Sequence, residues 1–291
     1  MFAIVGPTAS GKSDLALNLA KKIDGVILSV DSLSIYKEID IASAKPSKKE
    51  LKEILHFGVD EIFPNQKFDV IKFIEIFKKA KSYASTHQKP LIIVGGSSFY
   101  LKILTSGISQ TPPISNEAKL KTQKLLKDIK KAYTLLEQID SSYAKQIEPN
   151  DKYRIQKALE LYFEINTPPT NFFAKNPPTP IMPNLEIFEI EINKEKLRER
   201  IALRTKKMIK MGLIDEVFYL EKKYKRAINP LKAIGIKESL DFLDGRISLK
   251  ELEEKIIINT ARLAKKQITF NKTQLKIAFR GLPEEIFNLL L

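Results

Sequence analysis

The sequence predicts an α/β fold, a parallel sheet covered by helices and interrupted by an all-helical insertion. Three observations predict it. An apolar run, Phe2-Ala3-Ile4-Val5, leads straight through a glycine-bounded loop into a helical period. Further apolar runs then alternate with helical stretches up to residue 94. Beyond that point two proline clusters enclose a segment with helical period and no strand signal.

Taken in order, residues 2–5 read as a buried strand. Residues 6–13, Gly6-Pro7-Thr8-Ala9-Ser10-Gly11-Lys12-Ser13, match the phosphate-loop pattern G-x-x-x-x-G-K-[ST]. Glycines at both ends let the backbone close around an anion, successive N–H groups point inward, Lys12 adds a compact charge, and Ser13 can ligate Mg²⁺. Leu15, Ala16, Leu19, Ala20 and Ile23 share one face of a helix over 14–23, so the loop stands at a helix N-terminus. The core is therefore P-loop NTPase-like. Residues 26–30 form a second strand that delivers Asp31 and Ser32 to the C-terminal edge, where open α/β sheets hold ligands. A short helix over 48–55 and a longer one over 68–84 follow, the latter with Val70, Ile71, Ile74, Phe77, Ala80 and Ala84 as its apolar residues. Residues 90–94 are a third strand, ending in Gly95-Gly96-Ser97-Ser98.

Prolines break both helices and ladders. Thr111-Pro112-Pro113 and the cluster Pro177, Pro178, Pro180 and Pro183 therefore divide the chain into a first part of the core over 1–112, a helical insertion over 113–183, and the remainder of the core over 184–291. Within the insertion, 117–139 and 154–164 are helical in period. After it, 186–192 alternates like a strand, 194–224 is helical around Gly212, 249–270 is a long helix, and 275–279 is a last strand.

Composition bounds the chemistry. With 291 residues the chain buries a sizeable core. It has no cysteine and two histidines, which removes disulfides and thiolate chemistry and leaves too few imidazoles to expect a His-built metal site. No apolar run approaches membrane-spanning length and a strand begins at once, so a soluble cytoplasmic protein is expected. The net charge is +14, and residues 193–280 carry 23 Lys and Arg against 11 Asp and Glu, a net of +12. That concentration points to a polyanionic partner.

Candidate chemistry follows from placement. Asp31, beside a phosphate loop, could hold Mg²⁺ through water, take a proton from a nucleophile, or simply cap a turn. Gly95 and Gly96 allow something bulky to approach the backbone, with the Ser97 hydroxyl close by. Arg198, Arg200 and Arg204 share a helix, the last two on one face; directed inward they clamp phosphate, directed outward they pair with Glu195 and Glu199. Thr260, Arg262, Lys265, Lys266 and Gln267 crowd a helix polar and basic enough to track a nucleic-acid backbone.

In combination these motifs resemble the tRNA dimethylallyltransferases, also called tRNA isopentenyltransferases, over nearly the whole chain. The family's G-P-T-A-S-G-K-[ST] is unbroken at 6–13. Its D-S-M-Q-V-Y-K-G-M-D-I-G-T-A-K-P is similar to 31–46, G-G-T-G-L-Y to 95–100, and D-x-x-R-I-x-R-A-L-E to 151–160. R-x-x-x-M-x-x-x-G-L-x-x-E-V matches 204–217, A-I-G-Y-K-E is similar to 233–238, and A-K-R-Q-x-T-W to 264–270. Ser34 stands where the family has Gln, Ser97 for Thr, Ser98 for Gly, Ile236 for Tyr, Lys157 and Lys266 for Arg, and Phe270 for Trp; His56 is given no role.

The resemblance implies a Mg²⁺-dependent transfer of a dimethylallyl group from dimethylallyl diphosphate to N6 of an adenosine beside the tRNA anticodon, position 37. It makes Asp31, Ser97 and Arg204 catalytic. Gly6, Thr8, Ala9, Ser10, Gly11, Lys12, Ser13 and Arg200 would hold the diphosphate, with Ser13 on the metal. Asp31, Ser32, Leu33, Ser34, Lys45, Ser97, Tyr153, Arg154, Ile155, Gln156, Lys157, Arg262, Lys265, Lys266 and Gln267 would contact the tRNA, with the insertion folded over the anticodon stem-loop and the enzyme a monomer. The alternatives are a phosphate-loop kinase of a small molecule or nucleotide using ATP, and an RNA-binding NTPase without group transfer.

Overall fold

The structure is a computed structural model describing residues 1–291. Six strands form one parallel sheet: β1 (Phe2–Val5), β2 (Val26–Ser29), β3 (His56–Phe57), β4 (Leu91–Gly95), β5 (Ile187–Ile190) and β6 (Phe279–Gly281), in the spatial order β3-β2-β4-β1-β5-β6. Parallel strands need long crossovers, and helices supply them, burying both faces. The register aligns Val5 with Gly95 and Ser29 with Val94. The ends of β1, β2 and β4 therefore meet at one edge, bringing residues 6–13, 31 and 95–97 together.

The chain divides into two compact units, Met1–Thr105 with Asn184–Leu291, and Ser106–Pro183. In the first, Ile4, Leu15, Leu19, Ile27, Ile92, Phe188, Ile190 and Ile286 share a core. In the second, Leu126, Ala132, Leu136, Ala144, Ile147, Ile155, Ala158 and Leu159 form a separate one. This helical unit starts at Ser106, ahead of the proline cluster used to place its boundary at 113. Its Asp140 carboxylate accepts from Tyr143 N, Thr170 N and Thr170 Oγ1, tying two of its helices.

Several elements differ from expectation for identifiable reasons. The helix expected over 68–84 is Val70–Thr86, capped by Asp69 accepting from Lys72 N. It buries Phe73, Ile76, Phe77, Ala80 and Ala84, while Ile71 is 70% exposed. The segment is apolar in two helical phases, and the sheet selects one. The helical stretch over 194–224 is two helices, Lys194–Lys210 and Leu213–Tyr224, because Gly212 takes φ +98°, which a right-handed helix cannot continue. That over 117–139 is also two, Asn116–Leu125 and Ile129–Ile139, restarted by the Asp128 cap. The last strand is Phe279–Gly281, displaced from 275–279 because the preceding helix runs on to Gln274. No helix is long and apolar enough to cross a membrane.

Candidate active site

Residues 6–13 form the loop between β1 and the helix Lys12–Lys22, as the motif requires. Lys12 Nζ donates to the Pro7 carbonyl at 3.0 Å, folding its charge back over the loop. Burial pushes its pKa down to about 8, Arg204 adds to the effect, and Asp31 opposes it. Ser10 is 1% exposed, and its buried hydroxyl has no partner.

Both inward arginines come from the helix Lys194–Lys210, whose Leu197, Ile201, Thr205 and Met208 are buried and fix its roll. Arg200 Nη1 donates to the Ser10 carbonyl at 2.9 Å, and Arg204 Nη1 to Thr8 Oγ1 at 3.2 Å. Burial lowers the Arg204 pKa, and Asp31 counters it. Arg198, off the face that Arg200 and Arg204 share, stays exposed.

Asp31 both caps a turn and faces the site. Its Oδ1 accepts from Leu33 N at 2.8 Å and Ser34 N at 3.1 Å, which fixes the carboxylate and leaves Oδ2 for another group. Two cavities, of about 230 and 300 Å³, share Thr8, Asp31, Ser43, Arg204 and Leu263 in their walls. Lys12, Ser13, Asp14 and Gln267 line the first. Ile201, Met208, Ile234 and Ile256 make the second more apolar.

The glycines after β4 do admit close approach, but to protein groups. A Cβ at Gly95 would stand 2.0 Å from the Val30 carbonyl oxygen, and one at Gly96 would stand 2.4 Å from Gln267 Nε2. Gly95 and Gly96 line the first cavity; Ser97 is beside them, half-buried, its N–H bonded to the Val30 carbonyl at 3.1 Å.

Four of the expected tRNA contacts are engaged or buried within the protein, three of them, Ser34, Lys45 and Gln267, in the wall of the first cavity. Lys45 Nζ gives its three donors to the Tyr36 carbonyl (2.7 Å), Asp40 (2.7 Å) and Asp60 (2.6 Å), and its side chain is 3% exposed, so it fastens a loop. Ser34 is buried, its hydroxyl 3.0 Å from that of Ser29. Ile155 is wholly buried in the helical unit's core. Gln267 turns inward: Oε1 accepts from Thr8 N–H at 2.8 Å and Nε2 donates to the Gly96 carbonyl at 3.0 Å. On the same helix, Leu249–Gln274, Arg262, Lys265 and Lys266 are exposed. In the helical unit Tyr153 is 70% exposed, and Arg154 is exposed beside Asp151 at 3.3 Å. There too, Gln156 and Lys157 are held by the buried Glu160 at 2.6 and 2.7 Å.

Three buried or part-buried carboxylates were missed. Glu216 accepts from the backbone N–H of Asp40, Ile41 and Ala42 at 2.8, 2.7 and 2.9 Å, clamping the strip that leads into Ser43, which lines both cavities. Glu238 accepts from Gly235 N and Asn259 Nδ2, each at 2.7 Å. Glu189 is bonded by Asn271 at 2.8 Å and Arg280 at 2.7 Å. Glu216 had a signal, an acidic residue in the first turn after Gly212, where N–H groups lack partners. His56, given no role, lines the first cavity, its Nδ1 2.8 Å from the Ile54 carbonyl.

No group of three His, Cys, Asp or Glu could hold a metal alone. Ser13, Asp14 and Asp31 nevertheless line one cavity beside the anion loop. One hydroxyl with nearby carboxylates suits Mg²⁺ bound chiefly through substrate phosphate and its own waters.

Known proteins resemble this chain along its length. A family model described as IPP transferase matches residues 34–274. The tRNA dimethylallyltransferase of Nautilia profundicola is 57% identical over 292 residues, covering 100% of this chain and 99% of that protein. That of a Sulfurovum species is 51% identical over 291 residues, covering 100% and 97%. The crystal structure of a tRNA delta(2)-isopentenylpyrophosphate transferase from Staphylococcus epidermidis aligns at TM-score 0.70 with 28% identity, covering 99% of this chain and 96% of that one.

Proposed function

The chain belongs to the IPP transferase family, and from that premise we propose that it transfers a dimethylallyl group from dimethylallyl diphosphate to N6 of adenosine 37 in tRNA, as a Mg²⁺-dependent monomer. The observation that carries this reading is the wall shared by the two cavities, in which Asp31 and Arg204 stand together. A donor held in the first cavity and a base entering the second meet at the Asp31 carboxylate.

The chemistry asked of these residues is specific. An exocyclic amine is a weak nucleophile, because its lone pair is spread into the ring. As N6 bonds to C1 of the allyl group, the C1–O bond breaks and its electron pair leaves with the diphosphate. Asp31 Oδ2 takes the N6 proton, while Oδ1 stays pinned by the turn. Charge grows on the departing diphosphate, and Lys12, Arg204 and the loop N–H groups, which converge on the anion loop, stabilise it. Mg²⁺, held by Ser13 with the diphosphate, supplies further charge neutralisation when bound.

An adenosine stacked in a folded loop must be extruded to reach such a site. Arg262, Lys265 and Lys266 in the first unit, and Tyr153 and Arg154 in the helical unit, are exposed and provide phosphate and stacking contacts. The decisive assay offers purified protein, unmodified tRNA and Mg²⁺ either labelled dimethylallyl diphosphate or labelled ATP. Label is expected on tRNA from the prenyl donor alone; label from ATP only, or none, sinks the reading. Size-exclusion chromatography tests the monomer.

A further inference from the structure

Gln267, late in the chain, joins two parts of the site that both come from its first third, Thr8 in the phosphate loop and Gly96 after β4. The contact is intimate at both ends. An amide of the anion loop is held by a side-chain carbonyl, and no side chain could stand at position 96 without displacing Gln267. Lys12 lies beside the same gap, its Cε 3.8 Å from the position a Gly96 Cβ would take. One helical turn on, the wholly buried Asn271 donates to Glu189 Oε1 at 2.8 Å; Glu189 Oε2 accepts from Arg280 Nε at 2.7 Å and lies 2.6 Å from the same guanidinium's other nitrogen. Glu189 is the register partner of Val5, the residue that precedes the loop. The helix is thus pinned to the strand beside β1 at the point where it also reaches the loop.

We propose that Gln267 is a positioning residue that sets the width of the diphosphate cradle, with Asn271, Glu189 and Arg280 as its footing. The proposal rests on reading residues 6–13 as the diphosphate holder. It replaces the expectation that this glutamine touches RNA. Its polar ends act on the loop and on Gly96, and the substrate senses it through Lys12 and the loop amides.

Three variants of the full chain test it, with inorganic diphosphate as the probe. Gln267→Met keeps the side chain's length and removes both hydrogen bonds. Gln267→Glu keeps an acceptor for Thr8 N–H but sets a carboxylate against the Gly96 carbonyl. Glu189→Gln weakens the footing without touching the cavity. Calorimetry is expected to show diphosphate affinity about tenfold lower for Gln267→Met, lower still for Gln267→Glu, and lowered less for Glu189→Gln. Hydrogen exchange at the Thr8 amide should speed up in Gln267→Met while tRNA affinity stays unchanged. Wild-type diphosphate affinity with wild-type Thr8 exchange in Gln267→Met overturns the proposal, as does a parallel loss of tRNA affinity, which would make Gln267 an RNA contact. A wild-type chain that binds diphosphate but transfers no prenyl group would overturn the proposed reaction and leave the positioning role standing on the affinities. A wild-type chain that fails to bind diphosphate would overturn both.

Discussion

Arg204 reaches Thr8 across 3.2 Å, Nη1 to Oγ1, joining residues 196 positions apart. Arg200, one turn earlier, holds the Ser10 carbonyl, so a single helix presents two guanidinium groups to the anion loop. Arg204 is the one that also borders both cavities, next to Asp31. Its removal should therefore act on the transition state. Arg204→Ala is expected to lower kcat by about 10²–10³-fold, the scale of losing one preorganised charge-stabilising donor. Arg204→Lys keeps the charge but loses the planar fork, and should recover only part of the rate. Steady-state kinetics decide: a rise in KM alone would make Arg204 a binding residue.

Asp31→Asn is a clean probe because of the turn. The asparagine Oδ1 can still accept from Leu33 N and Ser34 N, so the 31–34 backbone keeps its shape while the proton acceptor is lost. Turnover should fall by about 10²–10⁴-fold, with tRNA affinity unchanged. Asp31→Ala removes the turn contacts as well and should add a loss of affinity. If Asp31→Asn weakens tRNA binding as much as turnover, the base assignment fails.

The edge where Asp31 meets the loop was legible because parallel strands alternating with helices put all their C-terminal ends on one side, and short motifs mark those ends. What stayed hidden depends on long-range direction. Arg200 and Arg204 at i, i+4 share a face whichever way the helix rolls, and the roll is fixed by Leu197 and Ile201 packing near Ala264, far away in sequence. Lys45 looks like a free cation until Asp40, Asp60 and the Tyr36 carbonyl surround it. Gln267 sits in a basic run whose other members face solvent, and nothing in its neighbours announces an inward turn. A strand of two residues, β3, is too short for periodicity to register. Glu189 made β5 look one-faced, yet all four β5 residues are buried, since buried Asn271 and the solvent-facing Arg280 satisfy the carboxylate.

His56 sets a pH response. Burial holds its imidazole pKa below the ordinary 6.5, against the opposing pull of the Ile54 carbonyl and Glu50. The unfolded chain therefore takes up a proton at higher pH than the folded one. Stability contributed by this group is intact above 6.5 and is lost as pH falls from there through the folded pKa. Thermal midpoints measured through this window should fall more steeply for the wild type than for His56→Gln. Parallel curves would show that the half-buried imidazole does not titrate in this way.

Glu216 makes a different, local prediction. Its carboxylate serves three consecutive N–H groups, and no other side chain bonds them. Glu216→Ala should cost about 1–3 kcal/mol of stability in denaturant unfolding, and amide exchange at Ile41 and Ala42 should rise more than elsewhere. Because Ser43 borders both cavities, kcat/KM should drop for tRNA and for the prenyl donor together. Unchanged exchange at Ile41 and Ala42 would mean the clamp holds nothing.

The position of β1 between β4 and β5 has a consequence for biosynthesis. On the ribosome β1 emerges first and gains β4 after residue 95, but its other edge waits until residue 190. At about 5–20 residues per second that wait lasts roughly 5–20 s. During it the nascent chain carries an unpaired apolar strand edge, the kind of surface that pairs with wrong partners. The helical unit 106–183 has its own core and completes it within this interval. The interruption is therefore also a delay in closing the sheet during translation, and factors that shield nascent strands should matter most for this chain while the helical unit is being made.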